Sequence, residues 1–340
     1  MMKEVVVIGG GAAGMEAAGQ LAGNGFKVTL LEKENQTGGH VKNWYHLFPD
    51  RKPGNDVIRY LENRISNPNL ELMNGTQVSS VKRKNNTYTL VTDSGKTINA
   101  DAVVVATGFD LFKSEKKEEY GYGIYENVIT SADLEKKFRK GDLKRTDGTL
   151  PERIGIVHCV GSRDEKSGNV YCSKLCCVTA VKQAIELREM IPSSRVYCFY
   201  MDIRMGGAHY EELYMESQEK HGVNYIRGKV SEVSETISGK LSIKVEDTLA
   251  GRPLRMELDM IVLMAGMEIS RGSNEIIRML NLKTGENRFL SSLDNHYGNN
   301  LSHLPGVFLA GSCTAPMNIT ETISHARAAV SEVIEYLGRQ

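Results

Sequence analysis

Lys3-Glu4-Val5-Val6-Val7-Ile8-Gly9-Gly10-Gly11-Ala12-Ala13-Gly14 decides the fold. The first six residues read as a buried parallel strand, because the run is apolar and β-branched. The next six match G-x-G-x-x-G. An alanine-rich stretch to about Asn24 reads as a helix, and Phe26 to Leu31 as a second strand ending at Glu32. Strand, glycine turn, helix, strand and terminal acid make up a dinucleotide-binding fingerprint. Gly9 allows the tight turn, Gly11 lets backbone approach a pyrophosphate, and Gly14 lets helix and strand pack closely. Glu32, 23 residues after Gly9, is placed to accept hydrogen bonds from a ribose.

Downstream residues extend this reading. Gly38-Gly39-His40-Val41 offers a second glycine pair for close approach to a cofactor. Trp44, Tyr45 and His46 read either as flavin-side residues or as ordinary core and surface. Short alternating strands follow at Glu71–Met73, Thr76–Lys82, Tyr88–Thr92 and Thr97–Asn99, with turns at Asn85-Asn86 and Asp93-Ser94-Gly95. A buried strand then closes on Ala106-Thr107-Gly108. That turn after a meander points to FAD rather than NAD. Pro305 to Ser312 reads as a strand and turn through Gly311. A helix starting near Asn318 or Thr320 runs to the end of the chain, its positive N-terminal dipole suited to a reduced, anionic ring.

The middle of the chain repeats the order. Ile154–Cys159 reads as a strand, Cys176–Met190 as a helix and Arg195–Met201 as a strand ending at Asp202. A helix to about Lys220, short strands and a closing strand, Met260–Ala265, follow. The fold class is therefore α/β, with two Rossmann-like, three-layer dinucleotide-binding domains, the second inserted into the first. The expected boundaries are 1–112 with 267–340 for an FAD-binding domain, 113–150 for a charged connector with a polar helix near Ala132–Lys140, and 151–266 for a degenerate NAD(P)-type domain.

The degeneracy is informative. Where a phosphate-binding turn would follow the strand, the loop is lengthened and carries cysteines. Four of the chain's six cysteines, Cys159, Cys172, Cys176 and Cys177, fall within nineteen residues at the spacing Cys-x12-Cys-x3-Cys-Cys. Thiolates are the usual ligands of iron–sulfur clusters, and four this close can reach one cluster. A helix starting at Cys176 offers free N–H groups to an anionic thiolate cluster. Redox-active thiols and a zinc or structural site remain alternatives, although zinc usually sits in Cys-x2-Cys pairs. Cys198 and Cys313 read as core residues.

Size and composition set outer limits. The chain has 340 residues, with Lys plus Arg 42 and Asp plus Glu 42, a formal net charge of +0. Two domains fit that length, and no nucleic-acid partner is expected from that balance. No apolar run approaches the ~18 residues of a membrane span, and no signal peptide is read at the start. Clustered reduced cysteines suit a cytoplasmic location.

The chain resembles the A-subunit family of heterodisulfide reductases, within the thioredoxin-reductase-like flavoproteins. The resemblance rests on Cys159-Val160-Gly161-Ser162-Arg163, the spacing from Tyr171-Cys172 to Cys176-Cys177, Lys182-Gln183-Ala184, Phe199 to Arg204, and Val307-Phe308-Leu309-Ala310-Gly311. It covers nearly the whole chain and implies a short, core-only form. It implies FAD, a 4Fe–4S cluster held by the four cysteines, and a lysine near the flavin at Lys182. It also implies electron transfer to partners resembling the B and C components of heterodisulfide reductase or other electron carriers. A homodimer is expected. The candidate FAD-contacting set is Gly9, Gly11, Ala12, Ala13, Gly14, Glu32, Lys33, Gly38, Gly39, His40, Val41, Val78, Ala106, Thr107, Gly108, Gly311, Ser312, Asn318 and Ile319. Two other functions are carried alongside: a stand-alone disulfide or persulfide oxidoreductase using Cys176 and Cys177, and a non-catalytic flavin-binding scaffold.

Overall fold

The computed structural model describes residues 2–339. The chain forms two compact units. One is built from residues 1–42, 54–110 and 268–340, the other from 43–53 and 111–267. Each has the dinucleotide-binding α/β architecture.

The first unit is organised on a five-stranded parallel sheet in the order Val307–Leu309, Ala102–Val105, Glu4–Ile8, Lys27–Leu31, Leu70–Met73. Val5, Val6 and Val7 are all buried, so this central strand is covered on both faces. That is why its sequence is a continuous apolar run rather than an alternating one. Helix α1, Ala12–Gly23, follows the glycine turn, and α2, Gly54–Ile65, packs beside it. A three-stranded antiparallel meander, Val78–Lys84, Thr87–Thr92 and Thr97–Ala100, precedes the closing strand Ala102–Val105.

The second unit repeats the plan. Its parallel sheet runs Val128–Thr130, Met260–Ala265, Arg153–Val160, Arg195–Tyr200, Asn224–Arg227. Its helices are α3, Ser131–Lys140, α4, Cys176–Met190, and α5, Tyr210–Glu219. Its own meander is Val230–Glu235, Leu241–Asp247 and Arg252–Leu258. The chain then re-enters the first unit with α6, Arg271–Leu280, the strand Val307–Leu309, and α7, Ile319–Gly338.

Residues 113–150, expected as a connector, are part of the second unit. Val128–Thr130 is the fifth strand of its sheet, and Val128 and Ile129 are buried there. Thr130 caps α3, its hydroxyl accepting from the Asp133 N–H while the Asp133 carboxylate accepts from the Thr130 N–H. Residues 43–53 also belong to this unit rather than to the first. Tyr45 N–H donates to Glu135 Oε2, and the Tyr45 ring stacks on Phe138 of α3, so this segment is tied to α3 within the second unit. Cys198 and Cys313 are fully buried in the core.

Candidate functional site

The glycine loop of the first unit is held from several sides. A Cβ at Gly14 would lie 1.8 Å from Gly9 O, and one at Gly9 would lie 2.4 Å from Ala106 O. No side chain fits at either position, so α1, its preceding turn and the Ala106-Thr107-Gly108 turn pack backbone to backbone. Gly11 is different. It is the residue before α1, with φ −76°, and a Cβ there would meet no protein atom within 4 Å. Its open side is the space a pyrophosphate would take at a helix N-terminus.

Other predicted residues converge on this loop. Gly38 N–H donates to Gly10 O at 2.8 Å. Gly39 lies against Gly11, a Cβ on it standing 3.1 Å from Gly11 Cα. Glu32 is buried, its Oε2 accepting from Gly10 N–H at 2.7 Å and its Oε1 from Glu34 N–H at 2.8 Å. Each oxygen keeps a lone pair for a ribose hydroxyl. A Cβ at Gly311 would come 2.6 Å from Ala13 Cβ, and Gly311 N–H donates to His325 Nδ1 at 2.9 Å. Ala12 and Ala13 open α1. Thr107 Oγ1 bonds Ser273 Oγ at 2.5 Å, and Ser312 is buried beside Thr322. The residues present fit a dinucleotide.

The remaining candidates stand apart from the loop contacts. His40 stacks on Phe109, and its Nε2 donates to Phe109 O at 2.9 Å. Val41 is buried, Lys33 is exposed, and Val78 packs its side chain into the core with Ile8 and Leu31. Asn318 caps α7 in a reciprocal pair with Glu321, and Ile319 is its first residue.

In the second unit the lengthened loop is an ordered structure. Cys159 sits near the end of its strand at φ 58°, where the pairing register shifts between Val157 and Val160. The chain reverses through Gly161, whose added Cβ would strike the Phe112 ring at 2.0 Å. Asp164 pairs with Asn169 across the loop, Asn169 Nδ2 donates to Gly161 O, and a buried Lys117–Asp164 ion pair of 2.7 Å anchors it. Tyr171 Oη donates to Met267 O, and Ser173 Oγ accepts from Met267 N–H. Cys172 follows, its sulfur accepting from Lys174 N–H at 3.2 Å. Helix α4 then begins at Cys176-Cys177 with no side chain capping its N-terminus.

Cys159, Cys176 and Cys177 are shifted in part by neighbouring sulfurs. Cys159 is brought down to about 7 by its hydrogen bond with Cys176, helped by the Arg163 and Arg204 charges. Cys176 is pushed up by that same bond, by burial and by the charges of Cys159, Cys177 and Cys172. Burial pushes Cys177 up to about 11. All six cysteines are free thiols. Among the described residues, no group of three or more His, Cys, Asp or Glu side chains is already arranged to hold a metal ion. Cys176 and Cys177 open the uncapped α4 and Cys159 bonds to Cys176, and thiols are the donor chemistry that suits an iron–sulfur cluster.

Lys182 lies one and a half turns further along α4 and is buried. Its ammonium meets Glu135 Oε1 at 2.5 Å, Glu186 Oε2 at 3.3 Å and His46 O at 2.9 Å. The sequence identifies Glu186 as its i+4 partner but not Glu135. A signal for Glu135 existed: it stands three residues before buried Phe138 and beside buried Leu134, on the inward face of α3.

Residues 3–140 match the family described as pyridine nucleotide-disulphide oxidoreductase. The A subunit of the H(2)/formate:CoB-CoM heterodisulfide,ferredoxin reductase of Methanococcus maripaludis is 29% identical over 97% of this chain and 64% of its own. The iron-sulfur A subunit of the CoB–CoM heterodisulfide reductase of Methanocaldococcus jannaschii is 30% identical over the same shares, 97% and 64%. The chain is a relative of the heterodisulfide reductase A subunits. It spans less than two thirds of the length of these relatives. Among solved structures, thioredoxin reductase from T. acidophilum superposes with a TM-score of 0.70 at 19% identity, over 99% of both chains. The thioredoxin reductase of Lactococcus lactis gives 0.69 at 19% identity, over 99% of this chain and 100% of its own. The fold is therefore thioredoxin-reductase-like, and kinship and fold together support a flavin oxidoreductase. Among the described residues no helix is long and apolar enough to cross a membrane.

Proposed function

We propose that this chain is an FAD- and 4Fe–4S-containing electron-transfer oxidoreductase component. In this reading it is a cytoplasmic homodimer that moves electrons between flavin, cluster and partners resembling the B and C components of heterodisulfide reductase, or other electron carriers. One observation carries this reading: Cys176 and Cys177 open the uncapped α4, with Cys159 hydrogen-bonded to Cys176 and the Cys172 charge acting on Cys176 and Cys177, at the position where the first unit has its phosphate-binding turn. Bound FAD would supply two-electron chemistry and the cluster one-electron transfer.

The chain's own residues have distinct tasks in this reading. The Gly9–Gly14 loop and the α1 N-terminus bind the pyrophosphate, and Glu32 holds the adenosine ribose. Cys159, Cys172, Cys176 and Cys177 hold the cluster, with Arg163 and Arg204 offsetting its negative charge. Lys182 is the proposed cation near the flavin, where a positive charge favours the reduced anion. The second unit has no glycine-rich turn at its first strand, so NAD(P)H is not its direct reductant.

Anaerobic purification tests the proposal. One FAD and about four irons with matching acid-labile sulfide per chain are expected. Stoichiometric FAD without iron, with thiols that turn over disulfides, would instead establish the disulfide or persulfide oxidoreductase.

A further inference from the structure

The buried cluster around Lys182 has an asymmetry that the proposed function does not use. Two carboxylates, Glu135 and Glu186, share one ammonium, and all three groups are almost wholly buried. If both carboxylates were ionised, the group would hold a net negative charge away from water, which is unfavourable. Hydrogen bonding distinguishes the two. Glu135 accepts from Lys182 Nζ, from Gln183 Nε2 at 2.7 Å and from Tyr45 N–H at 2.8 Å. Both its oxygens are met by N–H donors, the pattern of an ionised carboxylate. Glu186 Oε2 lies 3.3 Å from Lys182 Nζ without hydrogen-bond geometry and has no other partner. Its Oε1 lies 3.0 Å from His46 Nδ1. The extra proton therefore belongs on Glu186. Burial pushes this carboxyl up to about 7, and burial with the Lys182 charge pushes His46 down.

His46 bridges inside and outside. Its side chain is 24% exposed, while that of Glu186 is 2% exposed. We propose that His46 and Glu186 form a proton-exchange dyad linking solvent to the buried Lys182–Glu135 pair. Outward transfer breaks the Glu186 Oε1–H bond and forms the His46 Nδ1–H bond, and the imidazolium releases its Nε2 proton to water. Inward transfer runs in reverse: Nε2 takes a proton from water and Nδ1 gives one to the Glu186 carboxylate. No redox reagent is needed. The dyad gives the buried Lys182–Glu135 pair a route along which protons exchange with solvent.

The charged groups around the dyad are few. On α4 they are Lys182 and, one turn on, Glu189. Glu135 faces it from α3. Arg51, on the same segment as His46, pairs with Glu189 at 2.9 Å and lies 3.6 Å from Glu216 of α5. His221, just beyond α5, lies 3.6 Å from Glu216 and 4.0 Å from Glu189. Arg51, Glu189, Glu216 and His221 form the outer layer, leaving His46 as the titratable side chain in hydrogen-bond contact with Glu186 Oε1.

Infrared spectroscopy of the purified protein tests the dyad whatever cofactor is bound. The wild type should show the carbonyl stretch of a protonated carboxylic acid on the acid side of neutrality. It should fade as pH passes about 7 and be missing in Glu186→Gln. After dilution into D2O the band should shift rapidly in the wild type. In both His46→Phe and His46→Gln the shift should slow at least about tenfold, as expected when a proton-transfer group is removed. Glutamine keeps a polar contact, so it remains informative if phenylalanine disturbs folding. A band that survives Glu186→Gln, the absence of any such band, or unchanged exchange in the His46→Gln protein would overturn the proposal.

Discussion

Replacing Gly11 by valine separates ligand binding from folding. Gly11 has φ −76°, which any residue adopts, and a Cβ there meets nothing within 4 Å. The folding cost is then that of a poorer N-cap residue, up to about 1 kcal/mol. In a unit of this size that lowers Tm by about 2–4 °C. The ligand side is affected far more. A valine would occupy the space above the α1 N-terminus and hold a pyrophosphate off its backbone N–H donors. Hydrogen bonds to a charged group are worth about 1.5–3 kcal/mol each. Losing two costs about 3–6 kcal/mol, or roughly two to four orders of magnitude in Kd. Titrating deflavinated protein with FAD, followed by flavin fluorescence, measures this directly, with circular dichroism melts as the folding control. Gly14→Ala supplies the opposite case. Its Cβ would sit 1.8 Å from Gly9 O, so helix and turn must separate, at a cost of about 1–3 kcal/mol or more with or without FAD. A folded Gly11→Val protein that binds FAD as tightly as the wild type would refute the loop assignment.

Cys172→Ala should lose or degrade the cluster and leave FAD content intact; unchanged iron and an unchanged EPR signal would mean the ligand set is wrong. Lys182→Met leaves the Glu135 carboxylate buried without its cation, so a loss of about 3–5 kcal/mol is expected in denaturant melts, partly recovered by Lys182→Met/Glu135→Gln. In the surviving folded fraction the flavin midpoint potential should fall, and a redox titration overlaying the wild type would remove Lys182 from the flavin's surroundings. Because the folded Glu186 carboxyl is raised from 4.5 to about 7, the native state binds more protons in that window. Stability should therefore decline as pH rises from about 4.5 through 7, by up to about 3 kcal/mol, and Glu186→Gln should flatten the decline. NADH and NADPH should fail to bleach the flavin rapidly; saturable bleaching by either would contradict the degenerate reading of the second unit.

Much of this architecture is written in simple patterns. Val5–Val7 and Ile261–Leu263 are fully buried strands, and their unbroken apolar runs announce it. The glycine positions are equally legible, since Gly9 and Gly14 have no room for a side chain. Val128–Thr130 escaped because a three-residue edge strand between charged stretches has too little periodicity to register. Residues 43–53 escaped for another reason. Their attachment to the second unit depends on Tyr45–Glu135 and His46–Glu186 contacts, between residues 90 and 140 positions apart, which no local pattern encodes. A separation of 47 residues hides the second carboxylate at Lys182. A solvated lysine paired only with Glu186 is the ordinary expectation from i+4 spacing; the structure has it buried between two acids.

The two sheets obtain their fifth strands from opposite directions along the chain. The second unit takes Val128–Thr130, made before its first long strand, whereas the first unit takes Val307–Leu309, made near the end. During synthesis the second unit is complete in sequence once Met267 has left the ribosome. The nascent Ala102–Val105 strand must wait for Val307–Leu309, and α1 for α7. At about 5–20 residues per second, the roughly forty residues from Met267 to Leu309 take about 2–8 s. The N-terminal half-sheet thus spends that interval with an unpaired apolar edge at Ala102–Val105, while every strand of the inserted unit's sheet is already made.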